Sequence, residues 1–400
     1  MSNPSIAASK PPSLVAVCAA GMLALAIAMG IGRFAFTPML PLMIRAGSVD
    51  VGAGGWLAAA NYAGYLLGAL TTARLPLTPQ RIGLLSLAAI VLSTAAMGWS
   101  GSVAVWLLLR FVAGVASAWA LVSTSVWCLG WLARLERPAG AGVLYAGVGV
   151  GIALAGLYCW RAGVAGVLAE SLWIQLGVLA LVGLLMVAVL MPREAPGLGA
   201  ASGGSAAGAP STPAVVPWGL VVSYGFLGFG YILPATFLPV LARAVVDDPS
   251  VFGAAWPVFG AAAALSTVFA GAVLGGVPRR RVLAGSHVLM AVGCVLPVLH
   301  LSALTVLAAA LLVGGTFMVA TMAGMQEAKA SSAGDPTRML GRMTAAFAIG
   351  QMAGPVLSSV LSGKAEGFGG LFIALAVGAM ALLGSAVWLA RKPSRTASPI

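Results

Sequence analysis

Residues 30–41 of the chain read GIGRFAFTPMLP, and a related stretch, residues 228–239, reads GFGYILPATFLP. The two stretches lie 198 residues apart, and both begin with Gly-x-Gly and end with Leu-Pro. A G-x-x-x-G motif at residues 147–151 also recurs, at residues 350–354, with a similar offset of 203. Matches at a nearly constant offset predict two parallel repeats, which is the organisation of a large class of secondary transporters.

The composition of the 400-residue chain is that of an integral membrane protein. Hydrophobic residues make up 60% of it, charged residues make up only 8%, and the mean hydropathy is +1.04. Soluble domains carry about 25% charged residues, and so much exposed apolar surface would cause aggregation in water. The composition therefore excludes a soluble enzyme, a nucleic-acid-binding domain and a disordered chain, despite a net charge of +12.

Twelve apolar segments follow one another, most of them close to or above the length of about 20 residues that crosses a bilayer. Their uninterrupted apolar character favours helices over the alternating strands of a membrane β-barrel. We therefore predict an all-α integral membrane fold with twelve transmembrane helices in two six-helix pseudo-repeats. The segments cover residues 13–44, 52–73, 81–99, 102–131, 139–160, 170–191, 216–242, 251–275, 281–299, 302–326, 339–362 and 369–391.

A change of composition between the sixth and seventh segments marks the boundary between the repeats. This stretch is rich in Gly, Ala, Ser and Pro, which is typical of a flexible linker. The predicted domains are a cytoplasmic tail (1–12), an N-terminal six-helix bundle (13–191), a cytoplasmic linker (192–217), a C-terminal six-helix bundle (218–391) and a second cytoplasmic tail (392–400).

The distribution of basic residues predicts the orientation in the membrane. With the N-terminus in the cytoplasm and twelve spans, the inner loops and tails hold fifteen of the 21 Lys and Arg residues. The outer loops hold four of them. Because positive charge is retained on the cytoplasmic side, this bias predicts a multi-pass protein with both termini in the cytoplasm.

Several motifs resemble those of the major facilitator superfamily. Residues 110–114, RFVAG, resemble its R-x-x-Q-G motif, and residues 350–355, GQMAGP, resemble its G-x-x-x-G-P motif. Residues 68–81 resemble the superfamily's G-x-x-x-D-R-x-G-R-R/K loop only in part, because they contain no acid. The ion pair that this loop supports in the superfamily therefore lacks its acidic member here.

Three longer stretches resemble the YbfB/YjiJ-type branch of that superfamily. They are GIGRFAFTPMLPLM (30–43), GWLAAANYAGYLLG (55–68) and TAAFAIGQMAGP (344–355). The resemblance implies a bacterial inner-membrane transporter that works as a monomer by rocker-switch alternating access. Its partners would be a small-molecule substrate, with protons as a candidate coupling ion, and the lipid bilayer, with no nucleic acid.

Two arginines lie inside predicted helices without an acidic partner. At about 1.5 Å per residue, Arg33 and Arg110 lie at similar depths in the outer half of the membrane. Because a charge inside a bilayer is costly, such residues usually face a cavity and have a function. One interpretation is that both guanidinium groups bind a carboxylate or phosphate. The alternative is that each caps backbone carbonyls exposed by neighbouring Gly and Pro.

Four further polar residues are candidate substrate contacts, because they are bulky and lie on polar helix faces. The alternative is that they form ordinary hydrogen bonds between helices. These residues are Asn61, Tyr65, Tyr231 and Gln351.

All nine acidic residues fall near the ends of segments, so the sequence offers no mid-membrane carboxylate as a proton site. Glu327, at the inner end of the tenth segment, is the nearest candidate for coupling. The alternative is that it is an interfacial acid paired with Lys329 or Arg338.

Small residues in the repeated motifs are predicted to serve gating and close helix packing. They are Gly30, Gly32, Gly114, Gly147, Gly151, Gly228, Gly230, Gly350, Gly354 and Pro355.

These observations together predict a secondary active or facilitated transporter of a small anionic organic solute. One alternative is efflux of hydrophobic or cationic drug-like compounds. An alternative of another class is a non-transporting membrane sensor. The sequence contains no P-loop, H-E-x-x-H or G-x-S-x-G motif, so we predict no enzymatic activity, no cofactor and no metal site.

Overall fold

The computed structural model describes residues 12–192, 217–243, 245, 249–332, 335–362 and 369–391, and this part of the chain is helical with no β-strand. Its α-helices are α1 (Leu14–Leu25), α2 (Phe36–Arg45), α3 (Val51–Thr71), α4 (Pro79–Ala96), α5 (Val103–Arg134), α6 (Gly140–Val164), α7 (Ala169–Leu190), α8 (Trp218–Arg243), α9 (Pro249–Val273), α10 (Arg279–Leu299), α11 (Ala303–Ala330), α12 (Pro336–Ser362) and α13 (Gly369–Arg391).

Ten helices of the described part are long and apolar enough to cross a membrane, judged by length and composition. The continuous stretch Leu14–Arg45 counts as one of them, and α3 and α12 are not among the ten. The all-helical class predicted from the sequence is confirmed, whereas the count of twelve spans stays a prediction. Of the predicted tails (1–12 and 392–400) and linker (192–217), residues 1–11, 193–216 and 392–400 lie outside the described residues.

The first span differs from the single regular helix that the sequence predicts. Between α1 and α2 the residues Ala26–Phe34 form a π-helix, which is wider than an α-helix. Carbonyls in this segment accept hydrogen bonds from side chains of α5. The hydroxyl of Ser117 donates to the carbonyl of Ala28 at 2.8 Å. The guanidinium of Arg110 donates to the carbonyls of Gly32 and Arg33. External donors therefore support a backbone geometry that local sequence preferences do not predict.

Glycines allow the two halves of the chain to pack backbone against backbone along α6 and α9. A Cβ atom on Gly149 would overlap the backbone at Gly260, and one on Gly260 would overlap the backbone of α6 in turn. Gly142 and Gly271 meet in the same way farther along the two helices. The sequence motifs did not single out these four glycines, because the contact joins helices from different halves.

The glycines predicted from the motifs also lie at close helix contacts. A Cβ on Gly147 or Gly151 would overlap the backbone of the first span. Pro355 lies inside α12. The other pairs are Gly30 against Gly151, Gly32 against Ile90, Gly114 against Asn61, Gly228 against Phe347, Gly230 against Leu382, Gly350 against Gly225 and Gly354 against Ile232.

Candidate functional site

A narrow cavity lies between the two halves. Its volume is about 20 Å³, which is room for about one water molecule. The lining is mostly aromatic rings and methionines, with two threonine hydroxyls. The lining residues are Met29, Phe34, Tyr65, Leu121, Val148, Tyr224, Phe317, Met318, Thr321, Met325, Thr344 and Phe347.

Arg33 is buried beside this cavity and joins the two halves. Its side chain is 3% exposed, and its guanidinium carbon lies 3.9 Å from the ring centroid of Tyr65, which lines the cavity. This distance is within the range of a cation–π interaction. One guanidinium nitrogen, Nη2, donates a hydrogen bond to Oε1 of Gln351 on α12.

The guanidinium of Arg33 keeps unused hydrogen-bonding capacity. Its Nε and Nη1 atoms are buried and have no hydrogen-bond partner. Among the described residues no acidic side chain is buried, so none compensates this charge. Because a buried charge is stable only when it is paired or hydrogen-bonded, these two nitrogens leave donors available to an anion.

Arg110, in contrast, uses its guanidinium on the backbone of the first span. Nη1 donates to the carbonyl of Gly32 at 3.2 Å, and Nη2 donates to the carbonyl of Arg33 at 3.3 Å. Its guanidinium also lies over the ring of Phe36, 4.5 Å from the centroid. These contacts are the ones that the carbonyl-capping interpretation requires, and they leave only Nε without a partner.

Asn61 and Gln351 flank the arginines, and each retains an unpaired atom. Asn61 donates through Nδ2 to the carbonyl of Arg110 at 2.9 Å, while its Oδ1 has no partner. Gln351 is fully buried, and its Nε2 likewise has no partner. The structure therefore links Arg33 to Tyr65 and Gln351 and Asn61 to Arg110. Of these five residues, Tyr65 is the one that lines the cavity.

Tyr231 lies in a cluster of aromatic rings, two of which, Phe317 and Phe347, line the cavity. It stacks on Phe317 with ring centroids 4.7 Å apart and on Phe347 at 6.0 Å. Phe317 in turn stacks on Phe259 at 5.5 Å. The hydroxyl of Tyr231 is buried without a partner. Of this cluster, sequence reasoning found only Tyr231, because the phenylalanines come from separate helices and carry no motif of their own.

Glu327 does not pair with either partner expected from the sequence. Its Oε1 accepts from Nε of Arg280, at the start of α10, at 2.8 Å. Lys329 lies two residues away on the same helix, and residues two apart in a helix do not face each other. The expected pairing with Lys329 or Arg338 was therefore wrong. Glu327 does not line the central cavity.

Metal-binding chemistry has no support in the described part of the chain. None of its His, Cys, Asp and Glu residues form a group of three or more that could hold a metal ion.

Comparisons with known proteins agree with the fold. The sequence matches the family described as "Uncharacterised MFS-type transporter YbfB" over residues 25–389. The fold is similar to that of the human organic anion transporter MFSD10 (TETRAN), with a TM-score of 0.70 and 16% identity, over 94% of this chain and 98% of that one. No curated protein matches the sequence significantly. The resemblance seen in the motifs is thus confirmed, and the chain belongs to the YbfB family of MFS-type transporters.

Proposed function

We propose that this protein is a secondary active or facilitated transporter of a small anionic organic solute across the inner membrane. Two six-helix bundles, residues 13–191 and 218–391, would supply twelve spans and rock about the central cavity. The linker at 192–217 and both termini would lie in the cytoplasm, as the positive-inside bias indicates. The protein would act as a monomer in the lipid bilayer.

The observation that carries this proposal is the state of Arg33. Its guanidinium is buried, has two free donors, and has no buried acid near it among the described residues. A carboxylate matches the planar fork of donors that guanidinium presents. In the conformation described here, the third nitrogen of Arg33, Nη2, donates to Gln351. We infer that the solute's anionic group replaces Gln351 at Nη2 when the halves separate.

The lining of the cavity indicates the chemistry of the part of the solute that does not carry the anionic group. Five of its twelve lining side chains are aromatic and three are methionines, and such surfaces favour contact with apolar and aromatic groups. Once the halves separate, an organic anion with an aromatic or otherwise hydrophobic body would complement both the rings and Arg33. The fold similarity to a human organic anion transporter is consistent with this class of solute.

Ligand-induced thermal stabilisation of the purified protein tests the proposal. Benzoate and phenylacetate, acetate, and the lipophilic cation tetraphenylphosphonium would be compared at two pH values. Because ligands that bind the folded state raise the melting temperature, we expect aromatic carboxylates to stabilise most and acetate less. Stabilisation by the cation alone would contradict the proposal.

Efflux of hydrophobic or cationic compounds is the second candidate, and the aromatic cluster around Tyr231 favours it. A cation would meet the ring faces of Phe317 and Phe347, but it would also lie close to the uncompensated charge of Arg33. A non-transporting sensor would bind solutes without moving them. Uptake by proteoliposomes that contain only this protein distinguishes both transporters from the sensor.

Coupling to protons can be tested at Glu327. We expect Glu327→Gln to retain uptake driven by a pH gradient within about fivefold, because a partly exposed ion pair contributes about 1 kcal/mol or less. The matched variant Arg280→Gln, which removes the other member of the pair, should behave alike. A different result would make Glu327 the proton site. In that case Glu327→Gln would lose pH-driven uptake but keep solute exchange, and Arg280→Gln would keep both.

A further inference from the structure

A second cavity lies at the end of the bundle where α3 ends and α12 begins. It has a volume of about 410 Å³, within the range of ligand-binding sites, which runs from about 300 to 1,000 Å³. It is separate from the central cavity, with which it shares no lining residue. Ala69, Leu70, Ala73 and Arg74 line it from the N-terminal half, and Arg338, Gly341 and Arg342 line it from the C-terminal half.

Three of these seven lining residues are arginines, and no lining residue is acidic. The only ion pair among the described residues, between Arg280 and Glu327, lies elsewhere. The nearest acid along the chain, Asp335, uses its Oδ1 to accept the amide of Thr337 at 2.9 Å. Like charges gathered in this way repel one another, so within the described part of the chain the cavity concentrates positive charge without a lining counter-ion.

Close packing of the two halves is what brings the arginines together. A Cβ atom on Gly341 would lie 2.8 Å from the carbonyl oxygen of Ala69, so α12 approaches α3 as closely as its backbone allows. Arg338 and Arg342 are four residues apart and share one face of α12. Arg74, in the turn after α3, faces them across the cavity.

We propose that this cavity binds a phosphate-bearing anion that bridges the two halves of the protein. Guanidinium groups bind phosphate through paired charge-assisted hydrogen bonds. Basic pockets between transmembrane helices take up anionic lipid headgroups, and a soluble phosphate presents the same group. The bound anion would offset the repulsion among the arginines and stabilise the conformation in which α3 and α12 are in contact at this end.

Thermal unfolding of the purified full-length protein tests this site. One arm adds inorganic phosphate against chloride at equal ionic strength. The other compares bilayer discs of phosphatidylcholine with and without phosphatidylglycerol. The variants are Arg342→Gln, Arg74→Gln on the opposite wall, and the control Arg81→Gln, which removes an exposed arginine outside the cavity.

We expect saturable stabilisation by at least one probe, weakened about tenfold in Arg342→Gln and Arg74→Gln and unchanged in Arg81→Gln. At low salt and without phosphate or anionic lipid, Arg342→Gln and Arg74→Gln should be at least as stable as the parent protein, because each removes repulsion among the three arginines. A response to phosphatidylglycerol alone assigns a lipid headgroup, and a response to phosphate alone assigns a soluble anion. No stabilisation by either probe, or an equal loss in Arg81→Gln, would overturn the proposal.

Discussion

Replacing Arg33 with glutamine is expected to weaken binding of the organic anion by about 10- to 100-fold. The substitution removes the buried charge and most of the donors, and a hydrogen bond to a charged group contributes about 1.5–3 kcal/mol. Arg33→Lys keeps the charge but loses the planar fork, so we expect it to bind clearly more weakly than the parent protein. Ligand-induced shifts in melting temperature and uptake into proteoliposomes both report this loss.

Two controls separate binding from folding at this position. Arg45→Gln removes an exposed arginine from the end of the same span and should leave binding unchanged. Gln351→Leu removes the hydrogen-bond partner of Arg33 but leaves its charge. If Gln351 holds the place of the solute's anionic group, this variant should still bind the anion. Full binding and uptake in Arg33→Gln would eliminate the arginine site.

The second large effect is expected for stability, from Gly350→Val. A Cβ atom at position 350 would overlap the carbonyl of Gly225 and the amide of Phe229. These are backbone atoms of α8, which cannot rotate away, so the two helices must separate. Overpacking of this kind costs about 1–3 kcal/mol, and we expect a clearly lower melting temperature in detergent.

Gly384→Val is the matched control for this substitution. Gly384 also lies inside a helix of the C-terminal half, it is exposed, and no atom lies within 4 Å of an added Cβ. Both variants carry the same intrinsic change in helix propensity, which favours valine slightly over glycine, so the difference between them isolates the contact with α8. Equal melting temperatures for the two variants would show that this helix contact does not limit stability.

Buried charge was visible in the sequence, but its role was not. Arg33 and Arg110 both stand out as basic residues in long apolar runs, and the structure buries both. It then distinguishes them: Arg110 donates to carbonyls of the first span, whereas Arg33 retains two free nitrogens. The distinction depends on the atoms opposite each side chain, which belong to other helices.

Proximity in sequence was also a poor guide to which side chains pair between helices. Lys329 is close to Glu327 in sequence, yet Arg280, 47 residues away, forms the ion pair. The aromatic partners of Tyr231 are similarly remote, since Phe317 and Phe347 come from α11 and α12. Periodicity indicates which face of a helix is polar or apolar, but it does not indicate which neighbour that face meets.

The sequence by itself determined that this chain is an all-helical membrane protein of the major facilitator type, because hydrophobic length and repeated motifs are local properties written along the chain. It also identified Arg33 as a charge inside an apolar segment, since such a charge is costly wherever the segment is placed. Only the tertiary structure decided that the first span contains a π-helix, that Arg33 is hydrogen-bonded to Gln351 of the other half, and that three arginines share a pocket. Those features arise from side chains and backbones that meet across helices far apart in sequence, and their energies depend on that contact.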